Sequence, residues 1–196
     1  MFSIDVRLAF APSATYGQLI AHNRPTSWRR ALVRPALVLL LIAVVVPMMA
    51  TDQITAGLVL TSAAAWSPVV AIQMAIAAIF VAPARGVGFW RAMDLWFAGH
   101  VPYSLWILLL PFLTNSTALP PHDVIGVSLI APLLWTGVIT TAFFRTVFRM
   151  DAWTARRRAL LHLAIVVIVV LALGLWAAGG ISATLGYLVR RWNALL

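Results

Sequence analysis

The sequence predicts an all-α fold: a polytopic transmembrane helix bundle of about five spans, preceded by a short N-terminal interfacial helix. Three observations carry this. Of the 196 residues, 63% are hydrophobic and only 10% are charged, with a mean hydropathy of +0.97, far outside the composition of a soluble domain. The apolar residues gather into long runs near the roughly 20 residues that cross a hydrocarbon layer. The arginines, in turn, collect where those runs end.

Taken in order, the stretch "PSATYGQLIAHNRP" predicts the interfacial helix, with Ser13 as its cap, Tyr16, Leu19 and Ile20 at helical spacing, and Pro25 as its stop. The first span covers 35–50 and ends at "TDQ". The second, 54–82, contains "WSP" at 66–68, and Pro68 predicts a bend or a division there. The third, 92–113, contains "FAGHVPYSLW". The proline-rich connection "TNSTALPPHD" leads to the fourth span, 124–148, with Asp123 placed to cap it. "RMDAWTARRR" then leads to the fifth, 159–178. The resulting organisation is a cytoplasmic juxtamembrane segment at 1–34, a five-helix transmembrane domain at 35–178 and an interfacial tail at 179–196, where Tyr187 and Trp192 serve as belt residues.

Arginine alternates between connections. Arg7, Arg24, Arg29, Arg30 and Arg34 precede the first span, none lies in 51–53, Arg85 and Arg91 follow the second span, none lies in 114–123, and five lie in 145–158. This is the positive-inside pattern of a cytoplasmic amino terminus, and with five spans it puts the carboxyl end outside. The first 34 residues lack the short apolar core and cleavage site of a secretory leader, so the amino terminus is expected to be retained. The net charge of +9 therefore reads as orientation and not as nucleic-acid binding. All basic residues are Arg and all acids are Asp, a bias expected of a GC-rich bacterial genome. With no cysteine, disulfides, thiolate nucleophiles, iron–sulfur clusters and Cys-based zinc sites are excluded.

Polar residues inside the spans are the candidate functional groups. With the third span entering near Ala92, the 1.5 Å rise of a helix sets His100 roughly 12 Å deep, at a level similar to Gln73. Ser62, Trp66 and Gln73 share one helical stripe. Pro102 and Pro68 deprive the carbonyls of Ala98 and Ala64 of their usual donors, and His100, Ser104 and Gln73 are available replacements. The polar intramembrane cluster is thus Trp66, Gln73, Asp94, His100 and Ser104. It has three readings: hydrogen bonds that tie spans two and three together, a wet cavity for a small ligand or lipid headgroup, or ligation of a metal or tetrapyrrole by His100. His22, His122 and His162 do not converge on His100, and no cofactor or metal is expected. Asp94 is either a proton carrier or the partner of Arg91 at i, i+3. Gly137 and Thr141 form a small-xxx-small pair suited to a helix contact.

Enzyme signatures are missing. "DAWTAR" at 151–156 echoes the start of the Asp-Gly-x-x-Ala-Arg motif of phosphatidyl-alcohol transferases, but that chemistry needs further aspartates for divalent metals, and no acid follows Asp151. No Gly-x-Ser-Gly stretch, dinucleotide fingerprint or P-loop is present. In layout the chain resembles the bacterial branch of the Yip family, named for proteins that bind Ypt/Rab GTPases. The likeness lies in five spans, a cytoplasmic amino terminus, a short outer tail and a proline before a short aromatic-containing helix, with Pro12, Thr15 and Tyr16 of "APSATYGQLI" matching "SPxxTW". The resemblance implies a non-enzymatic membrane protein that acts through partners. The long acidic cytoplasmic region of eukaryotic members is missing here, which removes the feature that would point to a GTPase.

Together these features lead to the expectation of a scaffold or accessory subunit in a bacterial cytoplasmic (inner) membrane, in contact with the lipid bilayer and other membrane-protein subunits, able to form a homo-oligomer, and without nucleic acid. The alternative is a small carrier or channel for a solute or lipid that uses Gln73, Asp94 and His100. Topology is directly testable: reporter fusions after Thr51 and within 114–122 should read outside, and fusions after Arg85 and Arg157 should read inside. A fusion after Leu196 that reads inside means that the span count is even.

Overall fold

The computed structural model describes residues 2–22, 25–83 and 86–177. The expected tail at 179–196, with Tyr187 and Trp192, and the loop residue Arg85 lie outside the described residues, as does the last residue of the expected fifth span. Every secondary-structure element among the described residues is helical: α1 (Phe2–Phe10), α2 (Pro12–Ala21), α3 (Trp28–Thr51), α4 (Ala56–Val81), α5 (Phe89–Ala98), α6 (Val101–Asn115), α7 (Pro121–Ser128), α8 (Ile130–Val147) and α9 (Ala152–Ala177). The chain divides into two compact units, 1–159 and 160–196. The first contains α1 to α8 and the opening turns of α9. The described part of the second is the remainder of α9.

Among the described residues, three stretches are long and apolar enough to cross a membrane: α3, α4 and Asp123–Val147. The pair α5 and α6, bent by 40°, supplies a fourth when counted as one broken span. Their outer faces fit that role. Leu40, Leu60, Ile79, Phe112 and Leu134 are each more than half exposed, a distribution that water would penalise and lipid would not.

Several boundaries differ from the sequence expectation, and proline chemistry explains most of them. The first long helix starts at Trp28 instead of 35, because the Ser27 side chain accepts from the Arg30 amide and caps it; Pro35 lies inside the helix. The second expected span does not divide at Pro68. Ser67 Oγ donates to the Ala64 carbonyl at 2.9 Å, supplying the bond that Pro68 removes, and α4 runs on unbroken. The third span is broken where the sequence placed its polar motif, between Ala98 and Val101. The fourth runs as one stretch, Asp123–Val147, with its helical pattern interrupted at Leu129, whose backbone stays right-handed helical (φ −66°, ψ −24°) three residues before Pro132, which cannot donate to the Ser128 carbonyl. Asp123 lies in the first turn of α7 and not at its cap, which is Pro120. Gly86, with φ 85°, adopts in the α4–α5 connection a conformation that a side chain would disfavour.

The N-terminal segment contains two helices where one surface helix was expected, and α1 was not foreseen. At the start of α2 the cap position is Ala11, followed by Pro12, so Ser13 does not cap it. The hydroxyl of Thr15 donates back to the carbonyls of Ala11 and Arg7, and Arg7 Nη2 donates to Gln18 Oε1 at 2.8 Å, folding α1 against α2. This pair is not peripheral. Trp135 Nε1 on α8 donates to the Ala9 carbonyl at 2.8 Å, Leu8 and Tyr16 are fully enclosed, and α2 lies along α8.

Aromatic rings form the centre of the first unit. Trp96 of α5 stacks on Phe80 of α4 at 5.9 Å and meets Phe143 of α8 edge-on at 5.2 Å, and Phe143 meets Tyr16 of α2 edge-on at 5.5 Å. Tyr16 also donates its hydroxyl to the Leu95 carbonyl at 3.3 Å. Gly99 makes this seat possible. A Cβ there would lie 2.7 Å from the Tyr16 hydroxyl and 3.0 Å from Ile139 Cγ2.

This close approach predicts a coupled pair. Gly99→Ala should destabilise the protein by about 1–3 kcal/mol through overpacking, and Tyr16→Phe by about 1 kcal/mol through the lost hydrogen bond. Because the phenylalanine removes the clashing oxygen, the double variant should lose less stability than the sum of the two singles. Thermal unfolding in detergent measures all three, and strict additivity would show that the two residues do not share the seat.

Candidate functional site

The cluster that joins three helices is built on Asp94. Its position follows from the chain: α5 begins at Phe89 after Gly88, which puts Arg91 and Asp94 on one face, one turn apart. Arg91 Nη1 donates to Asp94 Oδ2 at 3.1 Å, the i, i+3 pair expected from sequence. The second partner was not expected. Arg34 of α3 pairs through Nη1 with Asp94 Oδ1 and also reaches the Asp94 carbonyl at 3.5 Å. Arg91 Nη2 donates to the Leu19 carbonyl of α2 at 3.2 Å. One carboxylate and two guanidiniums therefore tie α2, α3 and α5 together.

The cluster is secluded. The Asp94 side chain is 5% exposed, and those of Arg34 and Arg91 are 12% and 13% exposed. Beside it is a cavity of about 60 Å³ lined by Leu19, Arg30, Arg34, Arg91, Asp94, Leu95 and Ala98. Arg30 and Arg34 share a face of α3 at i, i+4, because the Ser27 cap sets the helix register ahead of them. Sequence reading counted both arginines as orientation signals. The signal that could have singled out Arg34 is its place beside the first apolar run, where a charge needs a partner.

The remaining expected cluster disperses. His100 stands at the break between α5 and α6, where its Nδ1–H donates to the Trp96 carbonyl at 3.0 Å; a carbonyl only accepts, which assigns the ring proton. The Gly99 amide donates to the same carbonyl at 3.0 Å, while the His100 amide bonds to Phe97. The imidazole thus seals its own helix end, and the carbonyl it serves is that of Trp96, not Ala98. Ser104 Oγ donates back to the His100 carbonyl at 3.5 Å. Trp66 is 38% exposed on α4 although Ser62 is buried, so the expected stripe of Ser62, Trp66 and Gln73 does not turn inward as a unit. Gln73 is half-buried on the same helix, and no bond joins it to His100. Gly137 has open space around its Cβ position, and Thr141 Oγ1 donates to the Gly137 carbonyl at 2.8 Å, so this pair makes no close contact within the first unit.

Two motifs weighed for catalysis have structural roles or no ligand set. Asp151 caps α9, accepting from the amides of Trp153 and Thr154 at 3.0 Å. The bond from the Thr154 side chain, followed by the backbone bonds, holds this exposed carboxyl below its ordinary value. Among the described residues no group of three or more His, Asp or Glu side chains converges as a metal site. Compared with protein-family models, curated sequences and solved structures, the chain gives no match.

The Asp94 cluster predicts a large effect from a small change. Asp94→Asn leaves two buried guanidiniums without a counter-charge and should cost about 3–5 kcal/mol. Adding Arg34→Gln should recover part of that loss, since it removes one uncompensated charge. Thermal unfolding of the two variants checks the sign; a neutral Asp94→Asn would remove the cluster from the stabilising interactions.

Proposed function

We propose that the chain is a non-enzymatic integral membrane scaffold or accessory subunit that acts through helix–helix contacts with membrane partners. The observation that carries this reading is the use made of the buried polar groups of the bundle. Asp94 is closed on Arg34 and Arg91, His100 on Trp96 and Tyr16 on Leu95, so these groups are used to brace the bundle. The carrier reading would have to reopen those contacts. The Yip-like layout is consistent with the same function, with five spans, an amino terminus in the cytoplasm and a bacterial inner-membrane location.

A contact surface for a partner is available. Glycine inside a helix costs roughly 1 kcal/mol relative to alanine unless close packing uses it. Gly137 in α8 and Gly126 in α7 have nothing near their Cβ positions, and their offset in sequence corresponds to about three helical turns. Small residues on a lipid-facing helix let another helix approach closely. A second subunit, of this chain or another, would make use of both glycines.

Purification in mild detergent should recover stoichiometric membrane partners or a defined homo-oligomer. Gly137→Leu, which fills open space, should leave the melting temperature within about 0.5 kcal/mol of the parent in stability terms but reduce the recovered assembly. A lone monomer that moves a solute across liposome membranes would overturn the scaffold reading in favour of a carrier.

A further inference from the structure

We propose that the cavity between α2, α3 and α5 is a binding site for a phosphate group, formed by the guanidiniums of Arg30, Arg34 and Arg91. This site does not depend on the scaffold reading. The first argument is charge. Three arginines and one aspartate line the cavity, so three positive charges against one negative leave an excess of two. Asp94 balances only part of what surrounds it. Like charges gathered around one cavity repel one another, most strongly between the secluded Arg34 and Arg91, and a phosphodiester would halve the excess while a phosphomonoester dianion would cancel it.

The second argument is unused hydrogen-bond capacity. Arg91 spends Nη1 on Asp94 and Nη2 on Leu19, yet its Nε is buried and has no acceptor. Arg30 is exposed and has no ion-pair partner among the described residues. The guanidinium fork matches two oxygens of a phosphate, which favours arginine over lysine wherever bidentate recognition of that group is needed.

Space and position agree. A water molecule needs roughly 10–15 Å³ of such a cavity, so about 60 Å³ holds a tetrahedral oxyanion. Leu19, Leu95 and Ala98 provide an apolar wall beside the arginines, as the junction between a lipid headgroup and its glycerol requires. Arg30 and Arg34 lie in the opening turns of α3, and Arg91 in the first turn of α5, which places the cavity at one end of these helices, at headgroup level for a chain that spans the bilayer. Basic pockets between membrane helices bind anionic headgroups in this way. The shared chemistry is phosphate, and its source is either an anionic phospholipid or a soluble phosphate.

The test uses the full chain in phosphatidylcholine nanodiscs, either alone, with phosphatidylglycerol or phosphatidic acid added, or with inorganic phosphate in solution. Melting temperature and lipid retained in native mass spectrometry are read for the parent and two variants. Arg30→Gln removes a cavity guanidinium that is exposed and supports no fold contact. Arg29→Gln removes an equal charge that stacks on Trp28 and does not line the cavity. Anionic lipid should stabilise the parent, and Arg30→Gln should weaken that binding about fivefold, the equivalent of about 1 kcal/mol per arginine near the surface. Arg29→Gln should leave it unchanged. Stabilisation by inorganic phosphate and not by lipid would also support the site and assign it to a soluble ligand. Equal weakening in the two variants would mean diffuse attraction to a basic surface, and absence of binding in every arm would mean an empty cavity; each result overturns the proposal.

Discussion

A buried carboxylate cannot remain charged without compensation, and in this protein that constraint organises the packing around it. Asp94 is nearly inaccessible, and its two oxygens are held by guanidiniums from different helices. Arg91 comes from its own helix and is available as soon as α5 forms. Arg34 is 60 residues away in sequence, so its contact forms only when α3 docks on α5. The same Arg91 then fixes the end of α2 through the Leu19 carbonyl. One ion cluster thereby sets how three helices meet, and the aromatic contacts of Tyr16, Trp96, Phe80 and Phe143 complete the packing beyond it.

Proline supplies the second constraint. Away from water, each proline within a helix leaves a carbonyl whose donor must come from the protein. Two solutions coexist here. At Pro68 the neighbouring Ser67 hydroxyl takes over the Ala64 carbonyl and the helix continues. At Pro102 no comparable hydroxyl precedes the ring, the helix breaks, and the His100 imidazole and the Gly99 amide both turn to Trp96. The break has a packing consequence: it leaves Gly99 beside the Tyr16 hydroxyl, at a separation that tolerates no side chain. A backbone defect in one segment thus becomes the seat for a residue from the amino terminus.

Arginine has two roles in such a chain. As a topological signal it needs only to stay on one side of the bilayer, which is a demand on sequence position alone. As a structural group it needs acceptors. Asp94 and the Leu19 carbonyl provide some of them, and the excess positive charge around the cavity is what remains when they are used. An arginine-rich, lysine-free composition suits this second role, since the planar fork keeps its charge when partly buried.

Composition and periodicity alone determined that the chain is helical and membrane-compatible, because the bilayer demands long apolar segments with their backbone bonds satisfied internally, and that demand is written residue by residue in 35–50, 54–82 and 124–148. The i, i+3 pairing of Arg91 and Asp94 was legible for the same reason, being local. What only the tertiary structure decided are the contacts between residues distant in sequence: Arg34 on Asp94, Tyr16 on Leu95 and Trp135 on Ala9. No local pattern encodes those distances. The fate of each proline was likewise undecided in the sequence, since Ser67 and His100 are both polar neighbours of a freed carbonyl, and whether a helix continues or breaks depends on whether that side chain can reach the carbonyl once the neighbouring helices have packed.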